Sequence, residues 1–349
     1  MVQESNSRML KGRLREIAKS VVIRSGGLGL YHRGKHREVL TVLMLHRVLP
    51  QHLISTYRAD QEYTISTTLL EELVTFVTDH YNIVDLEDVL KSQAKTKPLP
   101  PYPLLVTFDD GWEDNGSFAA DILASANVPW TLFAATDAIS SGERWWQEDL
   151  LLILRTNNSA FDTLKDAALR ISNRTVSELP SEQAFALLLL YGALPEAQRS
   201  ALIALHSNGS LRQPGTRDMV DWDTLRKMQN HGVSIAGHGA SHLPLTLIDD
   251  PAGDLQRAQL QLRQNLGPSA CTTMSFPHGR YNSEIVKRAT SIGTKLMFTS
   301  DPVLSKCPGG WLESNLVGRV PISTKAIARS DGTLDPERVM PWLMLRPMN

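Results

Sequence analysis

The sequence predicts an α/β fold, an irregular (β/α)7 barrel carrying a helical insertion. Three observations predict it. Short apolar runs alternate with segments of helical period, as in a parallel barrel. Acids and histidines follow directly on several of those runs, where a barrel presents its site. A stretch at about 147–217 reads as helix after helix with no strand between.

In chain order, strands are expected near 41–46, 83–84, 103–108, 130–135, 233–237, 272–276 and 295–299. Helices are expected near 68–80, 86–93, 115–126, 222–231, 251–266 and 282–292. Residues 95–103 carry four prolines and form a stiff connector into the third strand. Within the insertion, Glu148 to Arg155, Leu164 to Ser172, Ser181 to Leu190 and Pro195 to His206 look helical, broken by Asn157-Asn158, Asn173 and Asn208-Gly209. Trp145-Trp146 at its entrance fit either a sugar platform or the core.

The chain has 349 residues and a net charge of −1, enough for one barrel-sized core and no general argument for nucleic acid. Residues 1–40 differ, with nine Lys and Arg against three Glu, a balance of +6 that leaves −7 for the rest. Leu10, Leu14, Ile17, Ala18, Val21 and Val22 recur there at helical spacing. The segment fits an amphipathic helix lying on an anionic membrane surface and, as well, a helix packed on the barrel. The domain expectation is therefore a basic segment at 1–40 and a barrel at 41–349. No apolar run reaches the roughly 18 residues of a bilayer span. Arg13, Arg15, Lys19 and Arg24 interrupt any signal-peptide core, so the expected location is the cytoplasm or the periphery of a bacterial inner membrane. Cys271 and Cys307 are expected to be free thiols.

Chemistry concentrates in two places. Leu104 to Gly111 (LLVTFDDG) ends an apolar run on adjacent acids, Asp109 and Asp110. Neighbouring carboxylates in a dry site repel unless one binds a cation and the other accepts a proton. About 130 residues later, His238 and His242 follow a second apolar run at a Gly-rich turn. Their i, i+4 spacing lets both reach one ion, and Asp110 completes a His, His, carboxylate set with positions open for water and substrate. Gly239 follows His238 where the helical zincin motif needs Glu, which excludes that reading. Zn2+ fits such a set, and Co2+ or Ni2+ bind similarly. Asp109, beside the ion, is expected to act as general base.

These residues resemble the polysaccharide deacetylases of the NodB-homology type, carbohydrate esterase family 4. Thr107 to Gly111 match the family's Thr-Phe-Asp-Asp-Gly motif. His238 and His242 match its second motif, with Gly239 in place of a hydroxyl residue. Ser275 to Asn282 (SFPHGRYN) look like a variant of its Pro-aromatic-Gly turn, with His278 where Tyr is usual. Val42 to Val48 look like its opening strand. The resemblance covers roughly 40–145 and 218–322. It implies a metal-dependent hydrolase that removes N-acetyl groups from a glycan of a bacterial exopolysaccharide or cell envelope, with a metal-bound water as nucleophile. Trp112, Pro277, His278, Gly279, Tyr281 and Arg319 would then contact substrate. The family's late-motif His, its usual proton donor, has no counterpart, because no histidine follows His278. His46 or His278 is a candidate for that part, or Asp109 itself carries the proton to the amine, and Arg280 or Arg319 is a candidate for the family's base-pairing Arg. Two alternatives stay open: a catalytically weak sugar-binding member of a biosynthetic complex, and a deacylase of another amide or ester.

Overall fold

The computed structural model describes residues 27–56, 59–157, 159–172, 175, 179–206 and 217–349. Its strands are β1 (Val39–Leu45), β2 (Arg47–Leu49), β3 (Thr64–Ser66), β4 (Asn82–Ile83), β5 (Pro103–Asp110), β6 (Trp130–Ala134), β7 (Ser234–Gly237), β8 (Thr273–Ser275), β9 (Leu296–Phe298), β10 (Ser305–Lys306), β11 (Leu316–Val317) and β12 (Val320–Pro321). A parallel ladder runs β1-β5-β6-β7-β8-β9-β11. The segment Leu316 to Pro321 nearly closes the barrel: β11 pairs with β9, whereas β12 pairs with β1. Gly318, between them, has no room for a side chain, since a Cβ there would lie 2.4 Å from Val303 Cγ2.

Alternation along the strands explains the core. In β5, Leu104, Val106 and Phe108 face the helices, while Leu105 packs inside with Val42, Phe133, Ala236, Phe298 and Val317. Seven of the expected strands are present; the one expected at 83–84 is β4, two residues long and paired only with the start of β5. The helix expected at 115–126 begins as a π-helix, Asn115–Ala119, before the α-helix Ala120–Ser125. Asn115 holds that irregular turn to the site by donating from Nδ2 to the His46 carbonyl at 2.7 Å.

The insertion contributes helices Trp146–Thr156, Ala160–Leu169, Gln183–Gly192 and Glu196–His206. They bury a separate small core of Leu150, Ile153, Leu164, Leu187, Leu190 and Tyr191. Helix Gly27–Lys35 rests on the barrel through Leu28 and His32. The amphipathic positions Leu10 to Val22 lie outside the described residues. Among the described residues, no helix is long and apolar enough to cross a membrane. Cys271 and Cys307 are free and buried.

Candidate active site and metal centre

Strand parity and one backbone irregularity aim the two acids differently. Asp109 continues the inward face of β5 after Leu105 and Thr107. Asp110 takes a positive φ of 84°, and Gly111 follows at 92°. A left-handed Asp is uncommon and strained by about 1–3 kcal/mol, and such strain concentrates at functional sites. The turn swings the Asp110 carboxylate away from its neighbour. Trp112 Nε1 then donates to Asp110 Oδ2 at 2.8 Å, leaving Oδ1 free to face the histidines.

His238 leaves the end of β7, and His242 follows one loop later, itself at φ 57°. His242 Nε2 lies 3.1 Å and His238 Nε2 3.4 Å from Asp110 Oδ1. The three donors lie within 4.8 Å of one another, and all three residues are buried. His238 Nδ1 sits 2.6 Å from Ser275 Oγ and 3.2 Å from the Ser275 carbonyl, which leaves the Nε2 lone pair for a ligand. The His242 ring is held instead by stacking on Trp145, with centroids 3.9 Å apart and planes at 20°. Two imidazole lone pairs aimed at one carboxylate oxygen repel in the absence of a cation, so this donor set fits a single divalent metal.

Asp109 is bound to Arg319. Arg319 Nη1 and Nη2 reach the two carboxylate oxygens at 2.6 and 2.7 Å, in a bidentate pair that is almost wholly buried. The guanidinium also donates to the Thr299 carbonyl at 2.9 Å and to Thr107 Oγ1 at 3.3 Å. Ser275 Oγ donates to Asp109 Oδ1 at 3.3 Å, linking this carboxylate to His238. Burial pushes the Asp109 carboxyl up, but Arg319 and then His238 outweigh it and hold the acid below the usual carboxylate range. Asp110 is held well below that range against the same burial, by His242 and His238.

A cavity of about 520 Å³ opens over these groups. Asp109, Asp110, His238, His242, His46, Trp112, His278 and Gly279 all line it. Pro277, Tyr281 and Arg319 are not among its lining residues. Pro277 is buried behind the turn, Tyr281 stacks on Phe276 and donates to Asp301 Oδ2 at 2.7 Å, and Arg319 is wholly consumed by Asp109 and its neighbours. Arg280 pairs with Glu182 and does not reach Asp109. Of the two sequence candidates for the base's Arg partner, the fold brings only Arg319 to the site. His278, at φ 54°, donates from Nε2 to the His242 carbonyl at 3.1 Å and so braces the loop that carries the two histidines. Burial, with His242 nearby, holds its imidazole well below the usual range. Burial likewise lowers His46, against the pull of Asp110 and Asp109.

Two supports escaped the sequence reading. Asp254, buried in the first turn of helix Pro251–Leu266, accepts from the backbone N–H groups of Ala240 (2.8 Å) and Ser241 (3.0 Å), inside the loop joining the two histidines. It also explains Gly239: a Cβ there would sit 3.1 Å from Asp254 Oδ2 and from Pro277 Cγ, at a φ of 68°. Asp114 accepts from Arg47 Nε at 2.8 Å and from the Val48 N–H at 3.0 Å, so that Arg47 lies over the Trp112 ring. In sequence Asp254 is only an acid near a helix start, a frequent feature without site meaning. Trp145 and Trp146 belong to packing, Trp145 behind His242 and Trp146 against the insertion core.

The polysaccharide deacetylase family model matches residues 96–297, more than half of the chain. YxkH of Bacillus subtilis (strain 168), a provisionally named polysaccharide deacetylase, is 31% identical over 89 residues, 25% of this chain and 32% of that protein. The match thus spans about a third of that curated relative's length. Among solved structures, the Streptococcus pyogenes deacetylase PplD in complex with acetate aligns over 87% of this chain and 98% of its own, with a TM-score of 0.56 at 14% identity. IcaB from Ammonifex degensii aligns over 88% and 97%, with a TM-score of 0.54 at 17% identity. At such identities the likeness is one of fold, and the family match rests on the sequence. With the Asp-Asp motif, both histidines and the third-motif turn inside the matched span, the chain belongs to the polysaccharide deacetylase family.

Proposed function

We propose that this protein hydrolyses the N-acetyl group of an N-acetylated glycan, in a reaction that depends on a divalent metal. The observation that carries the reading is the separation of Asp109, paired with Arg319, from the Asp110, His238 and His242 set within one cavity. Asp110, His238 and His242 would hold the ion, and Zn2+ or Co2+ suits two imidazoles and a carboxylate. Bound there, it supplies Lewis acidity that acidifies a water and polarises the acyl carbonyl.

Asp109, poised beside that set, would act as the base toward the attacking water. Arg319 makes this carboxylate a weak base but, once protonated, a strong acid, suited to passing the proton on to the departing amine. His46 and His278, held neutral by burial, are poor donors near neutral pH, so Asp109 serves in both directions. The same neutrality favours the second reading, a catalytically weak glycan binder. The basic segment at 1–40 is proposed as a peripheral contact with anionic lipid.

Acetate release from chitin oligomers and a poly-N-acetylglucosamine fragment, with Zn2+, Co2+ or chelator added, tests the reading. Metal-dependent acetate is expected, lost with its metal in Asp110→Ala and lost with metal retained in Asp109→Asn. Glycan affinity without acetate would instead establish the binder, and an active Asp109→Asn protein would remove Asp109 from the chemistry.

A further inference from the structure

Two insertion helices are apolar on more than the face their own core uses. In Trp146–Thr156, Leu150 and Ile153 pack the insertion core, and in Gln183–Gly192, Leu187, Leu190 and Tyr191 do the same. Leu151 and Leu152 of the first helix, with Phe185 and Leu188 of the second, instead line the cavity that contains Asp109 and Asp110, and Leu154 touches both the cavity and the insertion core. Gln183–Gly192 is apolar all round, and Leu151, Leu152 and Phe185 stay partly exposed at the cavity, so this part of the lining favours an apolar occupant. The same cavity is also lined by the polar groups of His46, Arg47, Asp60 and Glu62, and by Arg144 and Glu148 near the start of the first helix. The lining thus has an apolar part and a polar part, and Asp110, His238 and His242 belong to it.

A wholly polar glycan does not match that apolar part. Leucine offers a hydroxyl no hydrogen bond, and desolvating the hydroxyl against it is unfavourable. Sugars bind best on open aromatic faces, and of the rings around the metal set Arg47 covers Trp112 at 4.3 Å and Trp145 stacks on His242, while Tyr63, 47% exposed, stands edge-on to His46 among the polar lining and leaves the leucines to another part of the substrate. We infer that the substrate is an N-acylated sugar bearing a hydrocarbon group, which lies along Leu151, Leu152, Leu154, Phe185 and Leu188 while the amide meets Asp109. This rests on the deacylase reading above and narrows its substrate. The bond changes are those of amide hydrolysis: the water oxygen joins the acyl carbon, the C–N bond breaks, and a proton passes to the amine nitrogen. The hydrocarbon has two sources, a longer N-acyl chain or an alkyl aglycone.

Two substrate series separate them. One lengthens the acyl group of methyl N-acylglucosaminide from acetyl to hexanoyl; the other lengthens the glycoside of N-acetylglucosamine from methyl to hexyl. Amine release gives kcat/KM with the Zn2+-loaded full chain, and calorimetry with the Asp109→Asn protein gives affinity without turnover. One series should gain up to about 4-fold per methylene while the chain stays on the wall. The pair Leu151→Asn/Leu152→Asn, at partly exposed positions, should flatten that gain. Leu151→Trp, which keeps the wall apolar but shortens it, should lower the longest chain accepted.

Flat responses in both series, with the shortest substrate turned over, overturn the hydrocarbon site and leave the deacylase standing. Chain-length-dependent affinity with no amine from any substrate keeps the hydrocarbon site and removes the deacylase.

Discussion

The ion pair between Asp109 and Arg319 gives the sharpest energetic prediction. Arg319→Ala removes two charge-assisted bonds at 2.6 and 2.7 Å, together with those to Thr299 and Thr107, and strands a carboxylate in the barrel interior. Breaking a buried pair from one side costs about 3–5 kcal/mol. Asp109→Ala strands the cation and costs a similar amount. The double variant strands neither charge, so its loss should fall short of the sum by about 2–3 kcal/mol. Urea unfolding followed by tryptophan fluorescence, with chelator present so that metal binding does not enter, reads this directly. At a slope of about 3 kcal/mol/M the coupling appears as a midpoint shift of roughly 1 M between the double variant and the additive expectation. Single losses that add to within about 0.5 kcal/mol would refute the argument that burial makes these charges interdependent.

Asp254→Asn keeps the shape but replaces one of the two carboxylate acceptors in the loop between His238 and His242 with an NH2 donor. Metal affinity is expected to fall about 10- to 100-fold, as for other outer supports of metal ligands, and metal-release titration checks it. Stability should also depend on pH through His36. Burial, with His32 Nδ1 only 3.0 Å from its own, brings its pKa down to about 4. The unfolded chain binds that proton first, so stability is intact above about pH 6.5 and falls by about 2–3 kcal/mol as pH drops toward 4. His36→Gln should flatten that slope in urea titrations at stepped pH; an unchanged slope would assign it to other groups.

Much of the site was legible because it is encoded locally. The apolar run ending in Asp109-Asp110, and the second ending at His238 with His242 four residues on, follow from strand period and strand-end position, which need no knowledge of distant contacts. The alternation of Leu104 to Phe108 likewise fixes which of the two acids faces inward. The insertion's helices were visible from their periodicity and Asn breaks, although which of their faces would line the cavity was not.

Tertiary structure alone decided the partners. Arg319 lies 210 residues from Asp109 and in sequence stands level with Arg280 as a candidate partner; it becomes the counterion of Asp109 because β11 and β12 split across the barrel seam and turn it inward. Asp254 and Trp145 reached the histidines in the same way, one by helix docking and the other by ring stacking. Periodicity and motif spacing are properties of neighbours along the chain, so sequence determined the elements and the atoms they present. Ion pairing and packing depend on which elements meet when the barrel closes, and that closure chose the counterion, the loop brace and the apolar wall.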